Sequence, residues 1–118
     1  QISICYSASN IANELDVKLL IAMTESGSSA ISISLFRPNA RIIAMSPNKN
    51  VSKKLSLIWG LETASVKPFV NTDEMIEMVQ KYLVDNKILK IDDKYVIIAG
   101  VPVGISGTTN LIRVERVR

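Results

Sequence analysis

Apolar residues along the chain alternate between two spacings. Ala8, Ile11, Ala12 and Leu15 recur at i, i+3, i+4 and i+7 and predict one face of a helix. KLLIAMT (18–24) is a continuous apolar run of strand length. ESGSSAISISLFRPNA opens with a glycine-containing turn, then sets Ala30, Ile33 and Phe36 at helical spacing. Arg37-Pro38 ends that helix, because proline disfavours a helical conformation in the residue before it. RIIAMS (41–46) predicts a second buried strand. Asn48 or Asn50 caps a helix carrying Val51, Leu55 and Ile58, which Gly60 closes. ETASVKP (62–68) is a shorter and weaker strand. Asn71 with Glu74 three residues on resembles a capping pair, and Ile76, Val79 and Leu83 make the apolar face of the helix behind it. KYVIIAG (94–100) is the clearest strand, and LIRVERV (111–117) is the last.

Strand and helix alternating at short intervals predict a single α/β domain over 1–118, with a mostly parallel sheet and helices on both faces. The final strand differs. Residues 101–110 are too few for a crossover helix, so strand 111–117 is expected to run antiparallel, at an edge. Its charges, Arg113, Glu115 and Arg116, suit an edge as well.

Composition narrows the chemistry. Fourteen basic and 11 acidic residues leave a net charge of +3, too mild and too scattered to argue for nucleic acid. The chain has no histidine and one cysteine, Cys5, which excludes a His/Cys zinc site, a histidine-based triad and an internal disulfide. The longest apolar run is far short of a membrane span. The first ten residues lack the basic start and long apolar core of a signal peptide. The expectation is a soluble cytoplasmic domain, excised from a larger protein, with no membrane or nucleic-acid partner.

Two turns are rich in hydroxyls. T-E-S-G-S-S (24–29) leaves the first strand and enters a helix. G-I-S-G-T-T (104–109) lies in the connection leaving strand 94–100. In a parallel sheet both sit at the C-terminal ends of their strands. Ligands of open α/β sheets bind there, at the point where strand order reverses. Gly27, Gly104 and Gly107 let backbone N–H groups approach a ligand. Ser26, Ser28, Ser29, Ser106, Thr108 and Thr109 add short-reach hydroxyl donors, and the helix beginning near Ser28 adds free N–H groups. The expected occupant is a tetrahedral anion, phosphate above all. The competing reading makes Ser28 a helix cap and nothing more. Neither turn is followed by the G-K-[ST] of a nucleotide-binding P-loop.

No catalytic or metal-binding constellation emerges. Asp73, Glu74 and Glu77 complement a helix N-terminus, and Asp92-Asp93 reads as a turn. Glu25 alone lies beside the cradle, and one acid without a base is a poor catalytic set. Cys5 reads as a small apolar residue, Met75 and Met78 as packing, and Trp59 as a core residue at a helix end.

The residues carry a resemblance. T-E-S-G-S-S-A with I-S (24–33), R-P-N-A-R-I-I-A (37–44), W-G (59–60) and above all G-V-P-V-G-I-S-G-T-T-N (100–110) followed by L-I-R-V make the chain similar to the C-terminal domain of pyruvate kinase over nearly its whole length. The resemblance implies a three-layer α/β/α sandwich around a five-stranded mixed sheet of order 3-2-1-4-5, its last strand antiparallel. It implies that phosphoryl transfer from phosphoenolpyruvate to ADP, with its magnesium and potassium, belongs to a barrel and a lid that these residues do not include. This piece is then inert alone, without cofactor, and serves regulation: it binds a phosphorylated effector and forms a subunit interface of a tetramer. By position, Thr24, Ser26, Gly27, Ser28 and Ser29 match the turn that grips an effector phosphate, and Gly104 to Thr109 match the loop that folds over it. Arg37 and Pro38 match a structural helix end. The chain departs from the pattern at Glu25, an acid where a cation would help, and in having no arginine between Trp59 and Tyr95. The expected effector is therefore a monophosphate, AMP or a sugar phosphate such as a pentose phosphate. Two rival readings stand beside this one. The first is a standalone binding module for a phosphorylated metabolite. The second is a small enzyme with Ser106 or Thr108 as nucleophile, which the lack of a partner base disfavours.

Overall fold

Strands β1 (Leu19–Met23), β2 (Arg41–Ser46), β3 (Leu61–Ser65), β4 (Lys94–Gly100) and β5 (Thr109–Arg116) form one sheet in the order β3-β2-β1-β4-β5. These are the features of a computed structural model that describes residues 2–36, 38–58, 60–100 and 109–118. Helices α1 (Ile2–Glu14), α2 (Ser28–Phe36), α3 (Lys49–Leu55) and α4 (Thr72–Asp85) lie between the strands in sequence. All strand pairs are parallel except β4 with β5, as the short final connection requires.

Handedness decides which helix covers which face. From β1 to β2 to β3 the chain steps steadily towards one edge. Right-handed crossovers therefore put α2 and α3 on the same side. The crossover from β3 back past β2 and β1 to β4 runs the other way, so α4 falls on the opposite side. The core divides accordingly. Cys5, Ala8 and Ala12 of α1, Ala30 and Ile33 of α2, and Val51 and Leu55 of α3 pack with Leu20, Ala22, Ile42, Ala44, Val96 and Ile98. Met75, Val79 and Leu83 of α4 pack with Leu19, Ile21, Met23, Ile43, Met45, Tyr95, Ile97 and Ala99. Successive strand residues thus serve opposite layers, and β1 is buried at every position, which is why it reads as an unbroken apolar run.

Helix ends are set by side chains at the predicted places, with three corrections. Asn48 caps α3, its side chain accepting from the N–H of Asn50, and Asn71 caps α4, accepting from the N–H of Glu74. The predicted face of α1 runs one turn too far. The helix stops at Glu14, Asp16 takes a positive φ of 51°, and Leu15 turns outward, 52% exposed. The α1 face in the core is Cys5, Ala8 and Ala12, with Ile11 partly buried. Helix α3 ends at Leu55 with Ser56 as its cap rather than at Gly60; Gly60, at φ 83°, turns the chain into β3. Phe36 is an exposed residue on the outer surface, edge-on to Tyr6 with ring centroids 5.5 Å apart. Met75 is buried and Met78 partly buried against the α4 layer, both as packing. Arg37 and Trp59 lie outside the described residues. No helix among the described residues is long and apolar enough to cross a membrane.

Candidate functional site

Strand order reverses between β1 and β4. These two strands run parallel and side by side, with Ala22 opposite Ile98, and they leave the sheet at the same end, after Met23 and Gly100. The turn 24–29 therefore starts at the position where open α/β sheets bind ligands.

Thr24 extends the ladder one residue beyond β1, its N–H donating to the Met45 carbonyl at 2.9 Å. Its side chain is nearly buried, and Oγ1 accepts from the N–H of Gly27 at 2.8 Å. That bond closes the turn. Gly27 takes φ 94°, a conformation L side chains rarely adopt, and its carbonyl accepts from the N–H of Ile31 at 3.1 Å, the opening bond of α2. A Cβ at this position would sit 3.1 Å from Leu55 Cδ2. Absence of a side chain thus lets α3 press against the turn.

The serines follow. Ser26 is exposed, its hydroxyl donating to Ser28 Oγ at 3.2 Å, and the N–H of Ser28 donates to Ser26 Oγ at 3.4 Å. Ser29 is 1% exposed, and its hydroxyl has no hydrogen-bond partner among the described residues. Its carbonyl accepts a weak bond from the Cys5 thiol on α1, at 3.7 Å. Burial pushes that thiol above its ordinary pKa, so Cys5 is a neutral packing group. Glu25, half-buried, lies in the turn between Thr24 and Ser26.

The turn is therefore a ring of neutral donors at the mouth of a helix. Four of its six residues carry hydroxyls, and α2 opens at Ser28 with its positive dipole end at the turn. The second predicted half is described only at its edges. Gly100 and Thr109 pair across β4 and β5, with a register shift after Ala99. The chain thus leaves and re-enters the sheet beside the turn. Gly104, Ser106, Gly107 and Thr108 lie outside the described residues, as does the side chain of Thr109.

Sequence reasoning missed two features. One is the bracing bond from Thr24 to Gly27, which the T-x-x-G spacing carries in the open. The other is the buried, partnerless hydroxyl of Ser29, which no local pattern distinguishes from an ordinary helix serine. Among the described residues, no three His, Cys, Asp or Glu side chains gather into a metal site. Cavities occur elsewhere. One of about 340 Å³ lies at the opposite end of the sheet, between Leu15–Lys18 and Asp92–Lys94. Two adjoining ones of about 330 and 320 Å³ share Lys67, Met78 and Lys81 beside α4.

Comparison with known proteins agrees with this fold. The family described as pyruvate kinase, alpha/beta domain, matches residues 2–115. A pyruvate kinase of Lactobacillus delbrueckii subsp. bulgaricus is 41% identical over 104 residues, 88% of this chain and 18% of that protein. One from Lactococcus lactis subsp. lactis is 40% identical over 113 residues, 95% of this chain and 22% of that protein. Among solved structures, a pyruvate kinase from Cryptosporidium parvum superposes with a TM-score of 0.86 at 25% identity, covering 99% of this chain and 22% of that one. The chain spans about a fifth of the length of these relatives.

Proposed function

Because the chain belongs to the pyruvate kinase alpha/beta-domain family, we propose that it is the regulatory and assembly part of such an enzyme and binds a phosphorylated effector at turn 24–29. One observation carries this reading: a braced, hydroxyl-lined turn opens a helix at the point where strand order reverses, and holds a buried hydroxyl, Ser29, without a partner. In this reading Ser26, Ser28 and Ser29 donate to the phosphate oxygens. Thr24 and Gly27 hold the turn in shape, and the segment from Gly104 to Thr109 closes over the ligand. The effector is AMP or a sugar phosphate.

Phosphoryl transfer from phosphoenolpyruvate to ADP, in the cytoplasm, then belongs to other parts of the enzyme, and the 118 residues alone do not turn over. Magnesium and potassium belong there too. Regulation works by population shift: an effector that binds one quaternary state better draws the assembly towards it. Among the described residues strand β5 pairs with β4, and its outer edge is the surface proposed to pair across a two-fold axis in a tetramer. The alternative, a standalone binding module for a phosphorylated metabolite, shares the same site and differs in having no catalytic partner.

Titration calorimetry of the chain with AMP, ribose 5-phosphate and fructose 1,6-bisphosphate tests the reading. Saturable binding of at least one of them is expected, weakened by Ser26→Asp. Absence of binding to all three, or unchanged affinity in Ser26→Asp, refutes it.

A further inference from the structure

Every donor in turn 24–29 is neutral, and its one ionisable side chain is an acid. The surrounding elements do little to offset that acid. Helix α2 and strand β1 contain no ionisable residue. Helix α3, which touches the turn through Leu55, carries Lys49, Lys53 and Lys54, all exposed. Helix α1, which meets Ser29 through Cys5, adds only Tyr6 and Glu14 besides that thiol. Arg41 of β2 and Lys94 and Tyr95 of β4 stand at the far ends of their strands. A fully ionised phosphate in the turn would meet neutral donors and one carboxylate that repels it.

Resting on the reading above, we infer that the turn selects a phosphoryl group that keeps one proton, with Glu25 as the acceptor of that proton's hydrogen bond. The P–O–H donates to the Glu25 carboxylate. The remaining oxygens accept from the serine hydroxyls. Ser29 supplies the independent support. Side chains in a helix lean towards its N-terminus, so the Cβ of this second helical residue tilts back to the turn, and its buried hydroxyl has no partner among the described residues. A tetrahedral oxygen gives it one. The same logic excludes sulfate, which has no proton to give near neutral pH. A phosphate monoester loses its second proton at about pH 6, so binding strengthens as pH falls through that value.

Calorimetry of the chain and of Glu25→Gln with ribose 5-phosphate and with sodium sulfate, each at about pH 5.5 and 7.5, tests the inference. Between those values the wild type is expected to gain roughly tenfold or more in affinity for ribose 5-phosphate, following the monoester's proton, and to bind sulfate weakly at both. Glu25→Gln, with its melting temperature unchanged, is expected to lose the pH trend and to gain sulfate. If the wild type binds both anions alike at both pH values, proton selection is wrong while the anion site stands. If neither protein binds either anion, the site itself is wrong and the inference goes with it.

Discussion

At the scale of single residues, Thr24, Gly27 and Ser29 divide structure from binding. Thr24→Val keeps the shape but leaves the buried Gly27 N–H without its acceptor, at a cost of about 1–3 kcal/mol; urea unfolding should show that loss, and Thr24→Ser should not. Gly27→Ala pays twice. It forces a side chain to φ 94°, worth about 1–2 kcal/mol, and pushes a methyl against Leu55. Ser29→Ala should do the opposite in the same assay. Removing a buried hydroxyl that bonds to nothing leaves stability unchanged or raises it, while calorimetry shows weaker phosphate binding. A variant that loses stability together with binding would make Ser29 a structural residue. Much of this turn was legible in the chain, because glycine and short hydroxyls at a strand-to-helix junction have few other uses. The division of labour was not, since burial and the Leu55 contact arise from α3, more than 20 residues away.

At the scale of elements, polar residues at helix ends were better guides than apolar spacing. Asn48 and Asn71 both cap where expected, because a side chain that accepts from a helix N–H acts over two or three residues and needs no tertiary partner. Leu15 and Ile58 misled for the complementary reason. Both fall in register with a helical stripe, yet the backbone has already left the helix at Glu14 and Leu55. Helix α4 carries its layer alone among the four helices, so its cap and core face matter more than those of the others. Asn71→Ala should cost about 1 kcal/mol, and Leu83→Ala about 2–5 kcal/mol, as expected for a fully buried leucine. Denaturant midpoints of the two variants check this ordering; equal losses would mean that α4 is held by its cap rather than by its face.

At the scale of the whole molecule, the antiparallel edge and the two helical layers followed from loop length and alternation, whereas the full strand order entered with the family resemblance. Nothing in local periodicity says on which side of β1 the fourth strand lands. The pH response belongs to this scale too. Tyr95 is wholly buried, and burial pushes its phenol above the ordinary value. Gln80 pulls the other way. The folded form thus favours the neutral phenol. That stability is complete below the unfolded tyrosine's value of about 10 and is lost as pH rises through the higher folded one. Tyr95→Phe should therefore unfold at higher pH than the wild type in a base titration followed by circular dichroism. Glu62, held below its usual range by the Arg41 guanidinium, acts at the other extreme: its contribution exists above the unfolded carboxylate's value and fades as pH falls through the lower folded one. Both side chains are about half exposed, so screening keeps it below about 1 kcal/mol. Leu55, at the end of the lysine-bearing α3, lies against the turn at the spot where Gly27 leaves no slack. Close-packed atoms transmit displacement instead of absorbing it. An occupant that tightened the turn would lean on α3 like a thumb on a lever, through Leu55.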